Sequence, residues 1–129
     1  MNKIINHSYN FFKYNNNINC LYNLFKNTNI NDWHKYKINN PNNYEKNIIF
    51  KNNEFELILI SWAENATTNY HNHPKNGCIL KVLKGKLKEN NKIIFPGHVG
   101  INYHTDYHKI KSLKKSYTLH LYSPPDFYK

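Results

Sequence analysis

The apolar positions of this chain change rhythm partway along. Between residues 18 and 36 they fall at 18, 21, 22, 24, 25, 30, 33 and 36, and recurrent spacings of three and four predict helix. Asn29 and Asn31 interrupt the run, and Asn31-Asp32 ahead of Trp33 can cap a second short helix. Residues 1–17 are polar and asparagine-rich, with Phe11 and Phe12 as anchors, and read as a loose or short helical lead. Residues 38–43 combine proline with asparagine and read as loop. Downstream, 47–50, 55–62, 78–83, 85–89, 92–95, 98–103, 108–111 and 117–122 read as short strands separated by turn residues, and Asn90-Asn91 suits a tight hairpin. A helical lead into closely spaced short strands predicts a mainly β sandwich or barrel. No repeat or linker divides it, so a single domain is expected over 1–129, with a helical or loop lead at 1–40 and a barrel at 44–125.

Composition narrows the function class. A hydrophobic share of 40%, with 11 Tyr and 7 Phe, supports a real core and excludes wholesale disorder. The chain carries 18 Lys, 25 Asn, no Arg and a formal charge of +10. That charge alone would point to nucleic acid. Arginine, however, is the residue that reads phosphate and guanine bidentately, and it is missing. Lys, Asn, Ile and Tyr are also residues of A/T-rich codons, so the basic surface reads as a solvated one and no nucleic-acid partner is expected. No apolar run is long enough for a membrane span. Met1–Asn10 lacks the apolar stretch of a secretory signal, and Cys20 and Cys78 do not make a disulfide framework. A cytoplasmic monomer is expected.

Eight histidines stand at 7, 34, 71, 73, 98, 104, 108 and 120. His71 and His73 form an H-x-H pair, and in extended chain such residues share a face. Two imidazoles there can share a metal, with a third ligand from another strand completing a facial set. His7, His34 and His98 read as surface histidines. Thr118, His120 and Tyr122 likewise share one face of the last strand, where a hydroxyl, an imidazole and a phenol can relay hydrogen bonds.

The order His71-Asn-His73, four residues, Cys78, six residues, Gly85 is similar to the first motif of a cupin barrel, with cysteine in the place of a glutamate. With that cysteine, residues 62–89 resemble the core of the cysteine dioxygenase family. So do the block Thr118-Leu-His120-Leu-Tyr122-Ser-Pro-Pro and the segment with Trp33-x-x-Tyr36 and Tyr44-Glu-Lys46-Asn47. The resemblance implies a small cupin (jelly-roll) β-barrel with a short α-helical N-terminal segment. It implies iron(II) held by His71, His73 and His108, with His104 on a non-ligand position. Cys78 and Tyr122 match a pair that can form a thioether cross-link. Tyr122, His120, Thr118 and Cys78 take catalytic places, and Tyr44 and Lys46 bind substrate. Lys46 stands where the family has an arginine that grips a carboxylate, and Gly77 where it often has histidine. The implied activity is a dioxygenase that adds both atoms of O2 to the sulfur of L-cysteine, giving cysteine sulfinic acid. Its partners would be a small-molecule thiol and O2. Another small thiol, such as 3-mercaptopropionate or cysteamine, and a degenerate metal-binding cupin without turnover are the alternatives.

Overall fold

A computed structural model describes residues 1–128. The lead is more helical than its composition predicts. Asn2–Phe12 forms α1, because Ile4, Ser8 and Phe12, four residues apart, bury one stripe despite the weak helix propensity of asparagine. The stretch from 18 onward is helical with an interruption around Asn29 and Asn31, as its spacing predicts, but much of it is 3-10. Ile18–Leu21 is a 3-10 turn, Tyr22–Asn27 is α2, and Asp32–Tyr36 is a second 3-10 turn. Asn31 makes no side-chain cap there. Asp32 accepts a hydrogen bond from the Met1 ammonium at 2.8 Å, tying the second turn to the start of α1.

The rest is antiparallel sheet: β1 (Tyr44–Lys51), β2 (Glu56–Trp62), β3 (Gly77–Glu89), β4 (Lys92–Ile94), β5 (Val99–Asn102) and β6 (Ile110–Ser123). The order is β1-β2-β6-β3-β4, with β5 also paired to β3. The six strands form a cupin-like sheet that does not close into a continuous barrel. Every residue of β2 is buried, because both faces of the sheet are covered. Leu57 and Leu59 join Leu119, Leu121 and the helical residues Ile4, Phe12 and Phe25 on one face. Ile58, Ile60 and Trp62 join Leu80, Val82 and Tyr122 on the other. The helices thus pack on the outer face, and alternate residues of β2, β3 and β6 are free to build a site on the inner one.

Two strand assignments change. The predicted pair 78–83 and 85–89 is one strand, β3, and 117–122 belongs to a longer strand that begins at Ile110. Shifts of register along the β3–β6 ladder absorb the irregularity around Lys84 and Lys86. Asn90-Asn91 does close a tight hairpin, with Glu89 facing Lys92. Gly85 sits within the irregular stretch at φ +101°, and an added Cβ would lie 2.1 Å from Ser116 Oγ and 2.6 Å from Ser116 Cα. Gly85→Ala is therefore expected to cost about 2–6 kcal/mol, the sum of left-handed strain and overpacking. A lower urea midpoint at unchanged m-value would register this, and an unchanged midpoint would contradict it. Gly77 has the same need: its φ is +102°, and an added Cβ would lie 2.7 Å from the Asn102 carbonyl oxygen. Glycine in place of the family's histidine suits that backbone.

Candidate metal centre

His108 falls just before β6, not in a strand of its own. It pairs with His71 through an isolated bridge in which each backbone N–H donates to the other's carbonyl at 2.9 Å. That bridge sets the two imidazoles side by side, and the His73 ring, two residues on, lies 5.4 Å from that of His71. His108 Nε2 lies 2.9 Å from His71 Nε2 and 3.0 Å from His73 Nε2. The ligand atoms of the three residues all lie within 4.8 Å of one another.

What surrounds the rings decides what this cluster can bind. His71 Nδ1 donates to the Asn69 carbonyl at 2.7 Å, His73 Nδ1 to the Asp106 carbonyl at 2.8 Å, and His108 Nδ1 to the Glu89 carboxylate at 2.7 Å. With the outer nitrogens engaged in this way, the three Nε2 atoms are the ones that converge, an arrangement that can hold a cation. Burial pushes the His73 imidazole down to about 4, assisted by the neighbouring His108, and burial also lowers His71. Both are neutral at pH 7, the form that ligates. Three imidazole nitrogens this close together can hold one divalent transition-metal ion, and imidazole suits iron, zinc, nickel or copper.

Beside this triad lies a cavity of about 210 Å³. It is smaller than the roughly 300–1,000 Å³ of drug-sized sites, so it suits a metabolite of a few heavy atoms. Tyr44, Lys46, Cys78, His120 and Tyr122 line it together with the three histidines. Thr118 stands one bond behind. Tyr44 and Lys46, two apart on β1, face Trp62 and Ile60 of β2. Cys78 and Tyr122 are direct partners in the β3–β6 ladder, and burial raises both the thiol and the phenol. His104 stays outside: it is exposed, and its Nδ1 bonds the His73 carbonyl at 2.6 Å. His7 and His34 are exposed as expected, whereas His98 is half-buried with Nε2 unpaired.

The cysteine dioxygenase type I family profile matches residues 11–98, which hold two of the three histidines together with Tyr44, Lys46 and Cys78. The chain belongs to this family. Among curated proteins it is similar to cysteine dioxygenase type 1 of Danio rerio, 34% identical over 59 residues, covering 45% of this chain and 29% of that protein. The Homo sapiens cysteine dioxygenase type 1 is 26% identical over 115 residues, covering 73% of this chain and 58% of the relative. The chain thus spans well under two thirds of the length of either. Solved structures agree on the fold. A double-stranded β-helix protein from Klebsiella pneumoniae aligns with TM-score 0.66 at 13% identity, over 78% of this chain and 88% of that one. An RmlC-like cupin from Shewanella frigidimarina aligns at 0.64 and 14% identity, over 78% and 93%.

In this cysteine dioxygenase family member the strand-6 residues form a directed chain. Trp62 Nε1, which can only donate, gives its proton to Thr118 Oγ1 at 2.8 Å. The Thr118 hydroxyl donates to His120 Nε2 at 2.7 Å, so His120 carries its proton on Nδ1 and donates it to the Tyr122 oxygen at 3.1 Å. Burial keeps His120 neutral. The Tyr122 O–H is left to donate into the cavity. Lys46 holds the site's cationic end, its Nζ 5.9 Å from the Tyr122 ring centre. As a residue Lys46 remains solvent-accessible, yet partial desolvation lowers its ammonium from the usual lysine value, with Glu56 and Cys78 opposing the shift. It makes no ion pair among the described residues.

Sequence reasoning missed three residues here. Trp62 sets the direction of the relay, and Tyr128 lines the cavity. Glu89 holds His108; burial pushes its carboxyl up, but bonds from His108 and Asn102 outweigh that and keep it low. Trp62 and Glu89 open and close the stretch that carries the family likeness, whereas nothing in the local sequence marks Tyr128. Glu89→Gln is expected to weaken metal binding about 10–100-fold, as loss of an outer-shell carboxylate does. Chelator competition would measure this, and unchanged affinity would remove Glu89 from the site.

Proposed function

We propose that this chain is an iron(II)-dependent thiol dioxygenase that oxidises L-cysteine with O2 to cysteine sulfinic acid. The observation that carries the reading is three converging Nε2 atoms in a small cavity whose far side offers a lysine ammonium and a tyrosine O–H. Iron(II), held by His71, His73 and His108, supplies the Lewis acidity and redox chemistry that bring a thiol and O2 together. Lys46 pairs with the substrate carboxylate, and Tyr44 helps orient it. Tyr122, oriented by the Trp62–Thr118–His120 chain, keeps its proton and offers its O–H as a hydrogen-bond donor to the reacting sulfur–oxygen group. His73 and His108 are buried, and Ile60, Trp62 and Ile110 give the cavity an apolar wall. The reaction balances without a further reductant: the thiol keeps its proton on the sulfinic acid, and the four electrons lost by sulfur reduce O2.

Cys78 and Tyr122 are proposed to become thioether-linked, with loss of two hydrogens to O2. Their ladder pairing supports this, since opposed side chains in such pairs are about 5 Å apart at Cβ. Cys20 is exposed and Cys78 buried, both as free thiols, which fits a reducing compartment such as the cytoplasm. The test is direct. Iron-loaded protein given cysteine should consume one O2 per sulfinate formed, and no uptake would sink the proposal. A panel with 3-mercaptopropionate and cysteamine checks the substrate: preference for carboxylate-free cysteamine would refute the role of Lys46.

A further inference from the structure

After β6 the chain turns back across the cavity and is tied down at several points. Ser123 Oγ donates to the Glu54 carbonyl at 2.7 Å, and Asp126 N–H donates to the Glu56 carboxylate at 3.2 Å. Tyr128 Oη donates to the Asn72 carbonyl at 2.6 Å, and Asn72 is the residue between His71 and His73. Burial raises this hydroxyl, so it remains a donor. The Tyr128 ring stands edge-on to His71 at 5.6 Å and to Tyr122 at 5.1 Å, with Lys46 Nζ 4.9 Å from its centre. One half-buried side chain therefore touches the triad, the relay tyrosine and the cationic group together.

We infer that Tyr128 is the specificity-determining wall of the cavity, positioning the Lys46 ammonium by a cation–π contact and limiting the length of the thiol that fits between Lys46 and the histidines. This rests on Lys46 as the carboxylate partner. A lysine on a flexible stem lacks the planar fork of arginine and needs something to fix its head group. An aromatic face within about 6 Å does so without competing for the carboxylate. The distance from Lys46 to the triad then sets a length standard. L-Homocysteine, longer than cysteine by one methylene, should bind the parent protein about tenfold more weakly, the discrimination a tight wall gives for one methylene.

The experiment compares parent, Tyr128→Phe and Tyr128→Leu, all iron(II)-loaded. L-Cysteine and L-homocysteine binding is measured by calorimetry under argon, and kcat and KM by oxygen uptake. Tyr128→Leu is expected to raise the Kd and KM for cysteine about fivefold, in line with a lost cation–π contact. It should also narrow the cysteine-to-homocysteine ratio to within about threefold while leaving iron stoichiometry unchanged. Tyr128→Phe, which keeps the ring and loses only the bond to Asn72, should stay closer to the parent in both. An unchanged ratio and unchanged cysteine Kd in Tyr128→Leu would overturn the inference. Parent protein that binds both thiols yet consumes no O2 would refute the dioxygenase reading alone, and the binding ratio would still decide the role of Tyr128. Parent protein that binds neither thiol would overturn both.

Discussion

His73→Ala is expected to abolish iron binding and oxygen consumption together. His73 is 1% exposed, and its Nε2 lies 3.0 Å from that of His108. Removing it leaves a two-nitrogen edge where three nitrogens converged. Affinity should fall by more than the roughly 10–100-fold of an outer-shell loss, because a ligand goes and not its support. Replacing the imidazole also removes its bond to the Asp106 carbonyl, so the loop beyond β5 loosens at the same time. Circular dichroism and thermal unfolding of the apo-protein separate the two effects: the sheet should remain, since no strand pairing passes through residue 73. His7→Ala, at an exposed position on α1, should leave both readouts unchanged. One iron per chain retained by His73→Ala would move the centre elsewhere.

The second large effect is expected at Lys46. A hydrogen bond to a charged group contributes about 1.5–3 kcal/mol, so Lys46→Met should raise the KM for cysteine about 10–150-fold. The loss should fall on KM more than on kcat, because the carboxylate contact is the same before and during reaction. Cysteamine, which has no carboxylate, is the internal control and should be indifferent to the change. Lys46→Arg should go the other way, since a planar fork meets a carboxylate bidentately. Equal effects of Lys46→Met on cysteine and cysteamine would show that Lys46 acts on the protein and not on the substrate.

Much of this site was legible because its parts repeat with a local period. The H-x-H pair and the Thr118, His120, Tyr122 series each lie on one face by strand alternation. The likeness over residues 62–89 then extended to Cys78. The helical lead was less legible. Asparagine hides an amphipathic stripe in α1, and the apolar spacing at 18–36, though it shows the interruption near Asn29 and Asn31, does not tell a 3-10 turn from an α-helix. The strands were found but over-divided, because a break in alternation at Lys84 looks the same in sequence whether it is a turn or a bulge.

By itself the sequence determined which residues share a strand face, the cupin-like class, and the family to which the chain belongs. Those properties follow from neighbours a few residues apart and from a motif read along the chain. Only the tertiary structure decided that His108 meets His71 across an isolated bridge, that Glu89 holds its outer nitrogen, that Trp62 orients the relay and that Tyr128 walls the cavity. These pairs stand 19 to 56 residues apart in the chain. The Trp62–Thr118 and Glu89–His108 pairs depend on ladder register, where a slip of one residue would turn every side chain to the opposite face, and the other two depend on where the connecting segments cross the sheet.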